Sequence, residues 1–218
     1  MTSAIGVLRE GPLHAAVKAV LAAPGDRFEV PVGRYVIDLV RAGGELVEVQ
    51  TGGFGPLGPK LDALLDDHAV RIVYPVAGER RIVRVDGQGE VLAARRSPKR
   101  GSALELFERL VTFPSLVTHP NLTVEVLLLR EDHIRRPEPV RNRRGRLKDP
   151  GERRLVDVME RIELRTVADY LGLLPMLPGE PFATADVARL THAGTQLSQR
   201  IVYCLKAMGA IAPAGSDL

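Results

Sequence analysis

Between Tyr35 and Thr51 the chain reads YVIDLVRAGGELVEVQT. Two short apolar runs flank a Gly-Gly pair, and each carries polar chemistry in its middle: Asp38 in the first run, Glu48 and Gln50 in the second. Carboxylates are poor strand formers and costly to bury unpaired. With Ala42-Gly43-Gly44 as a three-residue hairpin loop, in which a glycine takes positive φ, Arg41 faces Glu45 and Asp38 falls opposite Glu48. Side chains alternate with period two, so Asp38 shares a face with Val36 and Val40, and Glu48 with Leu46 and Gln50. Directly paired residues on one face hold their Cβ atoms about 5 Å apart. Two like charges at that spacing repel unless a cation lies between them, and a divalent metal is the commonest reason for such a pair. The bland alternative is a solvated sheet face with a stray charge pair.

The order of elements around the hairpin narrows the fold. Residues 4–22 carry an apolar stripe (Leu8, Leu13, Ala16, Val17, Val20, Leu21) at helical spacing, with Pro12 in or near the first turn. A strand is expected at Phe28–Val32, then the hairpin, then a Gly/Pro-rich loop at Thr51–Pro59 that lacks the spacing of a phosphate-binding loop. Pro59 suits the first position of a helix running to about Asp67. Val70–Val76 is nearly all apolar and reads as a central strand covered on both faces. A hairpin at Arg81–Val85 and Val91–Arg95, a helix at Ala103–Thr112 and a strand at Leu122–Leu129 follow. The expected class is α/β, a mixed sheet flanked by helices, followed by a small helical unit. The expected boundaries are 1–133 for the α/β domain, 134–150 for a basic linker and 151–218 for the helical unit.

In the last part, Val167–Leu174 reads as a short helix. Thr184 is a good N-cap for Ala185–Thr191, and Thr195 for Gln196–Met208, which Gly209 ends. Two helices joined by a short Gly-containing turn form the signature of a helix-turn-helix. The segment resembles a helix-turn-helix or winged-helix module, although no complete wing follows the second helix. Its exposed side is expected to present Gln196, Gln199, Arg200 and Lys206; Gln and Arg read base edges, and Lys contacts phosphate. Such modules also serve as dimer surfaces, so a homodimer is the companion expectation.

Ordered along the chain, Glu10 lies at the first helix, Asp38 in one strand, Glu48-Val49-Gln50 in the next, and Lys60 at the start of the following helix. With that order the chain resembles the PD-(D/E)XK nuclease superfamily, which includes Holliday-junction resolvases and many restriction endonucleases. The resemblance covers about residues 4–76. It implies a restriction-endonuclease-like sheet, Asp38 and Glu48 as ligands of Mg²⁺ or Mn²⁺, Glu10 as the helix glutamate, and hydrolysis of phosphodiester bonds in DNA. The motif lysine is replaced by Gln50, and Lys60 is the candidate for a lysine moved to a helix. If neither serves, the resemblance implies a catalytically inactive DNA-binding protein, a regulator or repair accessory, on a nuclease-like fold. His14, one turn from Glu10, is either a helper ligand or a helix-surface histidine.

Charge supports a phosphate partner. The net charge is only +3, but Ile134–Lys148, IRRPEPVRNRRGRLK, sets Arg135, Arg136, Arg141, Arg143, Arg144, Arg146 and Lys148 against Glu138 alone. With two prolines and a glycine it reads as an exposed loop, a nucleic-acid arm or else a linker kept basic for solubility. Lys99 and Arg100 sit in a compact turn that either grips phosphate or is only surface. There is no long apolar run to span a membrane. The single Cys204 forms no internal disulfide, so a cytoplasmic setting is expected.

Overall fold

A computed structural model describes residues 11–137, 140–141, 147–148, 151–175 and 181–214. The described elements are helix α1 (Pro12–Leu21), strands β1 (Arg27–Val32), β2 (Tyr35–Val40) and β3 (Leu46–Val49), helix α2 (Gly58–Leu64), strands β4 (Val70–Val85) and β5 (Val91–Arg96), the short helix α3 (Phe107–Leu110), strand β6 (Leu122–Arg135), the two-residue strands β7 (Val140–Arg141) and β8 (Leu147–Lys148), strand β9 (Glu152–Leu164), and helices α4 (Val167–Gly172), α5 (Thr184–Thr191) and α6 (Thr195–Ala207). Seven strands form one mixed sheet in the order β1-β2-β3-β4-β6-β9, with β5 paired to the outer half of β4. The β3-β4 and β4-β6 pairs are parallel and the others antiparallel.

Helices cover both faces. On one side Leu13, Val17 and Leu21 of α1 pack on Leu39, Val47, Val49, Val73, Leu127 and Leu129. On the other side Leu61 and Leu64 of α2, Phe107 and Leu110 of α3, and Ile201 and Leu205 of α6 share a larger core with Leu46, Ile72, Tyr74 and Val126. The helix expected at residues 4–22 is seen from Pro12; the preceding residues lie outside the described ones. Pro12 stands in its first turn, where its missing N–H costs nothing.

Several boundaries move. The expected Val70–Val76 strand and the first arm of the following hairpin are one strand of 16 residues, β4, with a register shift between Ala77 and Glu79. The helix expected at Ala103–Thr112 is shorter, a 3-10 turn at Ala103–Leu106 running into α3. The N-caps are Ala183 and Gly194 rather than Thr184 and Thr195. At α5 Asp186 accepts the Ala183 N–H at 2.8 Å in place of a capping side chain on Ala183.

The largest correction concerns the boundary at 151. Glu152–Leu164 is a strand of the main sheet, paired antiparallel with β6 along its length. It is an edge strand held by charge: Arg153 pairs with the fully buried Glu131, Arg161 with Glu125, and Glu163 with Arg71. Tyr170, Leu174, Val187, Ile201 and Leu205 from α4–α6 bury themselves in the same core as the sheet, so the helices pack on the sheet rather than apart from it. The basic segment is also not one loop. Ile134 and Arg135 finish β6, and β7 pairs with β8 as a separate ribbon that carries Arg141 and Lys148. Arg143, Arg144 and Arg146 lie outside the described residues.

Candidate active site

The hairpin loop forms as the glycines require. The Arg41 N–H donates to Glu45 O at 2.9 Å, the Gly44 N–H donates to Arg41 O at 2.9 Å, and Gly44 takes φ +90°. Val40 pairs with Leu46 and Leu39 with Val47, which puts Asp38 in line with Glu48. There the backbone pairing stops. In a regular antiparallel ladder the next hydrogen-bonded pair would join Ile37 and Val49. Instead, the Val49 N–H donates to Asp38 Oδ2 at 2.8 Å, and the Val49 carbonyl accepts from His14 Nε2 at 2.9 Å. His14 Nε2 lies 3.1 Å from Asp38 Oδ2 as well. Two side chains thus satisfy the backbone groups that β2 leaves behind.

The departure begins on β1. Phe28 pairs with Leu39 and Val30 with Ile37, but the intervening Glu29 does not pair with Asp38 and takes φ +51°, a conformation that costs energy for a residue with a Cβ. The alternation of β2 slips at this point. Ile37 joins the core beneath α2, whereas Leu39, two residues on, joins the core beneath α1. Such an irregularity re-aims side chains. Asp38 consequently turns along the edge of β3 toward α1 rather than standing beside Glu48 on one regular face. Glu48 faces α2, where Lys60 makes an ion pair with it and also donates to Val36 O at 2.8 Å. The Tyr35 hydroxyl donates to Pro59 O at 2.9 Å, which ties β2 to the start of α2.

The two carboxylates are driven apart in acidity. Burial pushes the Glu48 carboxyl up, the Asp38 charge adds to the rise, and Lys60 opposes it; the result is about 7 against an ordinary 4.5. For Asp38 burial also pushes upward. The hydrogen bond and charge of His14, the Val49 N–H and the charge of Lys18 outweigh it and hold the carboxyl below its usual range. Lys18 is itself buried and ion-paired with Glu29. Two neighbouring carboxylates with divergent acidities mark this pair as the candidate site.

The structure therefore brings Asp38, Glu48 and Lys60 together. It adds His14 and Lys18 from α1, neither of which the motif spacing required. His14 is not a surface histidine, because its ring is turned into the site and only 18% of the side chain is exposed. Gln50 follows β3, its N–H donating to Val73 O at 2.8 Å, and is half-buried. Glu10 lies outside the described residues. Among the described residues no group of three or more His, Cys, Asp or Glu side chains is arranged to hold a metal.

The expected nucleic-acid residues are spread more widely. Lys99 and Arg100 are exposed on the turn after β5, with carboxylates of Glu105 and Glu79 at 4.0 and 3.8 Å. Gln196 and Gln199 are exposed on α6, but Arg200 turns toward Glu108, 3.8 Å away. Arg136 lies 3.8 Å from Glu152. Arg135 pairs with Arg84 far along β4, whereas Glu48 pairs with Ile72 near its start. At about 3.3 Å per residue this places the basic end of β6 roughly 40 Å from the carboxylates. Arg80, Arg109 and Arg153, which no motif singles out, line a cleft that begins at Thr51.

A family model described as "Domain of unknown function (DUF8091)" matches residues 11–165, a span that holds α1 through β9 and all of the carboxylate site. A protein of Treponema pallidum (strain Nichols), described as an uncharacterized protein, is 33% identical over 188 residues, covering 85% of this chain and 74% of its own length. No solved structure matches the chain. Among the described residues no helix is long and apolar enough to cross a membrane.

Proposed function

We propose that this chain, which belongs to the family described as Domain of unknown function (DUF8091), is a metal-dependent nuclease that hydrolyses phosphodiester bonds in DNA. The reading gives it a restriction-endonuclease-like sheet and a helix-turn-helix-like pair in α5 and α6. The observation that carries it is Glu48, a carboxylate on a central strand, buried beside Asp38 and pushed up to about 7. A site that disfavours its own anion in the absence of a cation is one that a cation stabilises.

The donor set suits Mg²⁺ or Mn²⁺, with hard carboxylate oxygens on adjoining strands. Asp38 and Glu48 would hold the ion, and when bound it polarises a phosphoryl oxygen and lowers the pKa of an attacking water. His14 and the Val49 N–H fix the Asp38 carboxylate in one orientation and keep it ionised. Lys60 is held at the site by Glu48 and Val36 O, from which its ammonium stabilises charge developing on the phosphoryl oxygens. It supplies the cation that Gln50 cannot.

DNA contact falls to surfaces on the same side chains that the sequence marks. A cleft of about 390 Å³ lies between the Lys99-Arg100 turn and the start of α6, lined by both of those residues and by Gln196. The N-terminus of α6 adds its positive dipole end there. Arg135 and Arg136, some 40 Å from the carboxylates by strand length, would meet a duplex about one turn further along.

A second reading is a catalytically inactive DNA-binding protein. It is favoured by the Lys60–Glu48 ion pair, which places an ammonium where a metal would sit. Incubation with plasmid, linear and branched DNA in Mg²⁺ or Mn²⁺ tests the two. The nuclease reading expects cleavage that Asp38→Ala and Glu48→Ala abolish; full activity in either variant overturns it. Salt-dependent binding without cleavage supports the second reading.

A further inference from the structure

Immediately beyond the carboxylates, at the C-terminal end of parallel strand β3, a separate cleft of about 210 Å³ opens. Open α/β sheets bind ligands outside the carboxyl ends of their parallel strands. Thr51 stands at its mouth, one residue past Gln50, and the walls bring Arg80 from β4, Lys99 from the turn after β5, Arg109 from α3 and Arg153 from β9. Glu105 is the carboxylate on its lining, 4.0 Å from Lys99.

The arginines are held in place by defined partners. Glu131, fully buried behind the cleft, accepts from Arg80 Nε on one oxygen at 2.7 Å and from Arg153 Nε and Nη2 on the other at 2.9 and 2.7 Å. One buried carboxylate thereby orients two guanidiniums. Arg109 donates through Nε to the Tyr74 hydroxyl at 3.1 Å, its guanidinium carbon 5.9 Å from the Tyr74 ring centroid. The hydrogen bonds that orient Arg80 and Arg109 run through Nε, and Glu108 and Glu105 act on Arg109 through their charge. Three guanidiniums and an ammonium against Glu105 on the lining and the buried Glu131 leave a positive excess for a preformed oxyanion receptor, since the arginine fork matches phosphate oxygens. The floor is rigid. Gly101 donates to Ala77 O at 2.9 Å, and a Cβ at that position would lie 2.7 Å from both that oxygen and Val76 Cγ1.

The geometry points to a phosphate-binding subsite, distinct from the reacting phosphate, which takes either a terminal phosphate or an internal backbone phosphate of a nucleic-acid strand. The identity of the strand as nucleic acid rests on the proposed function above; the phosphate chemistry stands on the cleft alone.

The test is calorimetric titration of the full chain in EDTA with inorganic phosphate and with short single-stranded oligonucleotides bearing a 5′-phosphate or a 5′-hydroxyl. The wild type and Asp38→Asn bind phosphate equally, because the cleft does not use the carboxylate site; phosphate binding by a wild type that cleaves no DNA in Mg²⁺ or Mn²⁺ would count only against the nuclease reading. The double variant Arg80→Gln/Arg109→Gln weakens binding at least about tenfold, as expected for charge-assisted hydrogen bonds. Lys99→Ala, on an exposed side chain that leaves folding untouched, lowers the salt slope by about one. Preference for the 5′-phosphate identifies a terminal phosphate, and equal affinity identifies an internal one. Binding by Lys99→Ala and the folded double variant within twofold of wild type, or no phosphate binding by the wild type, overturns the subsite.

Discussion

Glu48 gives the sharpest test of the site without assuming any activity. Its carboxyl stands at about 7 in the folded protein against an ordinary 4.5. The folded state therefore binds more protons than the unfolded state between those values, and stability falls as pH rises across them. The sign is opposite to that of a carboxylate in a good salt bridge. The contribution of neutral Glu48 is fully present below about 4.5 and gone above about 7. At about 1.4 kcal/mol per pH unit the loss approaches about 3 kcal/mol. Glu48→Gln keeps the volume and removes the titration. Relative to wild type, the variant gains about 3 kcal/mol between pH 4 and pH 8.5, or roughly 2–4 °C in Tm per kcal/mol for a chain of this size. Urea unfolding of both proteins at the two pH values, in EDTA, measures the difference directly. Because both share every other titrating group, the comparison isolates this one. If the variant shows the same stability difference from wild type at pH 4 and 8.5, Glu48 is not strained by its burial and its value as the carrier of the proposed function is lost. Added Mg²⁺ should recover wild-type stability at pH 8.5 and leave Glu48→Gln unchanged.

Asp38→Ala should also destabilise, by about 1–3 kcal/mol, because it leaves the Val49 N–H without its acceptor; thermal unfolding checks this, and Asp38→Asn should recover part of the loss. His14→Ala should raise the Asp38 carboxyl toward its ordinary range, since the imidazole is the largest influence holding it down, an effect read by carboxyl titration in NMR. Gly101→Ala forces a methyl into contact with Ala77 O and Val76 Cγ1, and overpacking of that kind costs about 1–3 kcal/mol in denaturant unfolding.

What could be read in the sequence was what local rules determine. The hairpin register follows from Gly44 and the two-residue alternation, and the structure keeps Arg41 opposite Glu45. Lys60 could be placed because Pro59 marks a helix start and the loop before it is short enough to bring that start back over β3. Strand β9 was not legible. Most of its residues are charged or exposed, and the partners that justify them, Glu131, Glu125 and Arg71, lie 22 to 92 residues away in the chain. An edge strand stabilised by cross-strand ion pairs carries no apolar period to detect.

The break in β2 shows the same limit at the site itself, and explains why a correct register still gave the wrong orientation for Asp38. Nothing in Tyr35–Val40 announces that pairing ends at Leu39, because the cause is on another element. His14 comes from 35 residues upstream to take the Val49 carbonyl, and Asp38 takes the Val49 N–H. Without those two side chains the orphaned backbone groups would favour continuing the ladder through Ile37, and Asp38 would then stand beside Glu48 on one face with its repulsion uncompensated. The irregular edge, the strained Glu29 opposite it and the split acidities of the two carboxylates thus have one origin. The strand gives up two backbone hydrogen bonds to its neighbour, and the carboxylate released from the ladder becomes the oriented, ionised member of the pair.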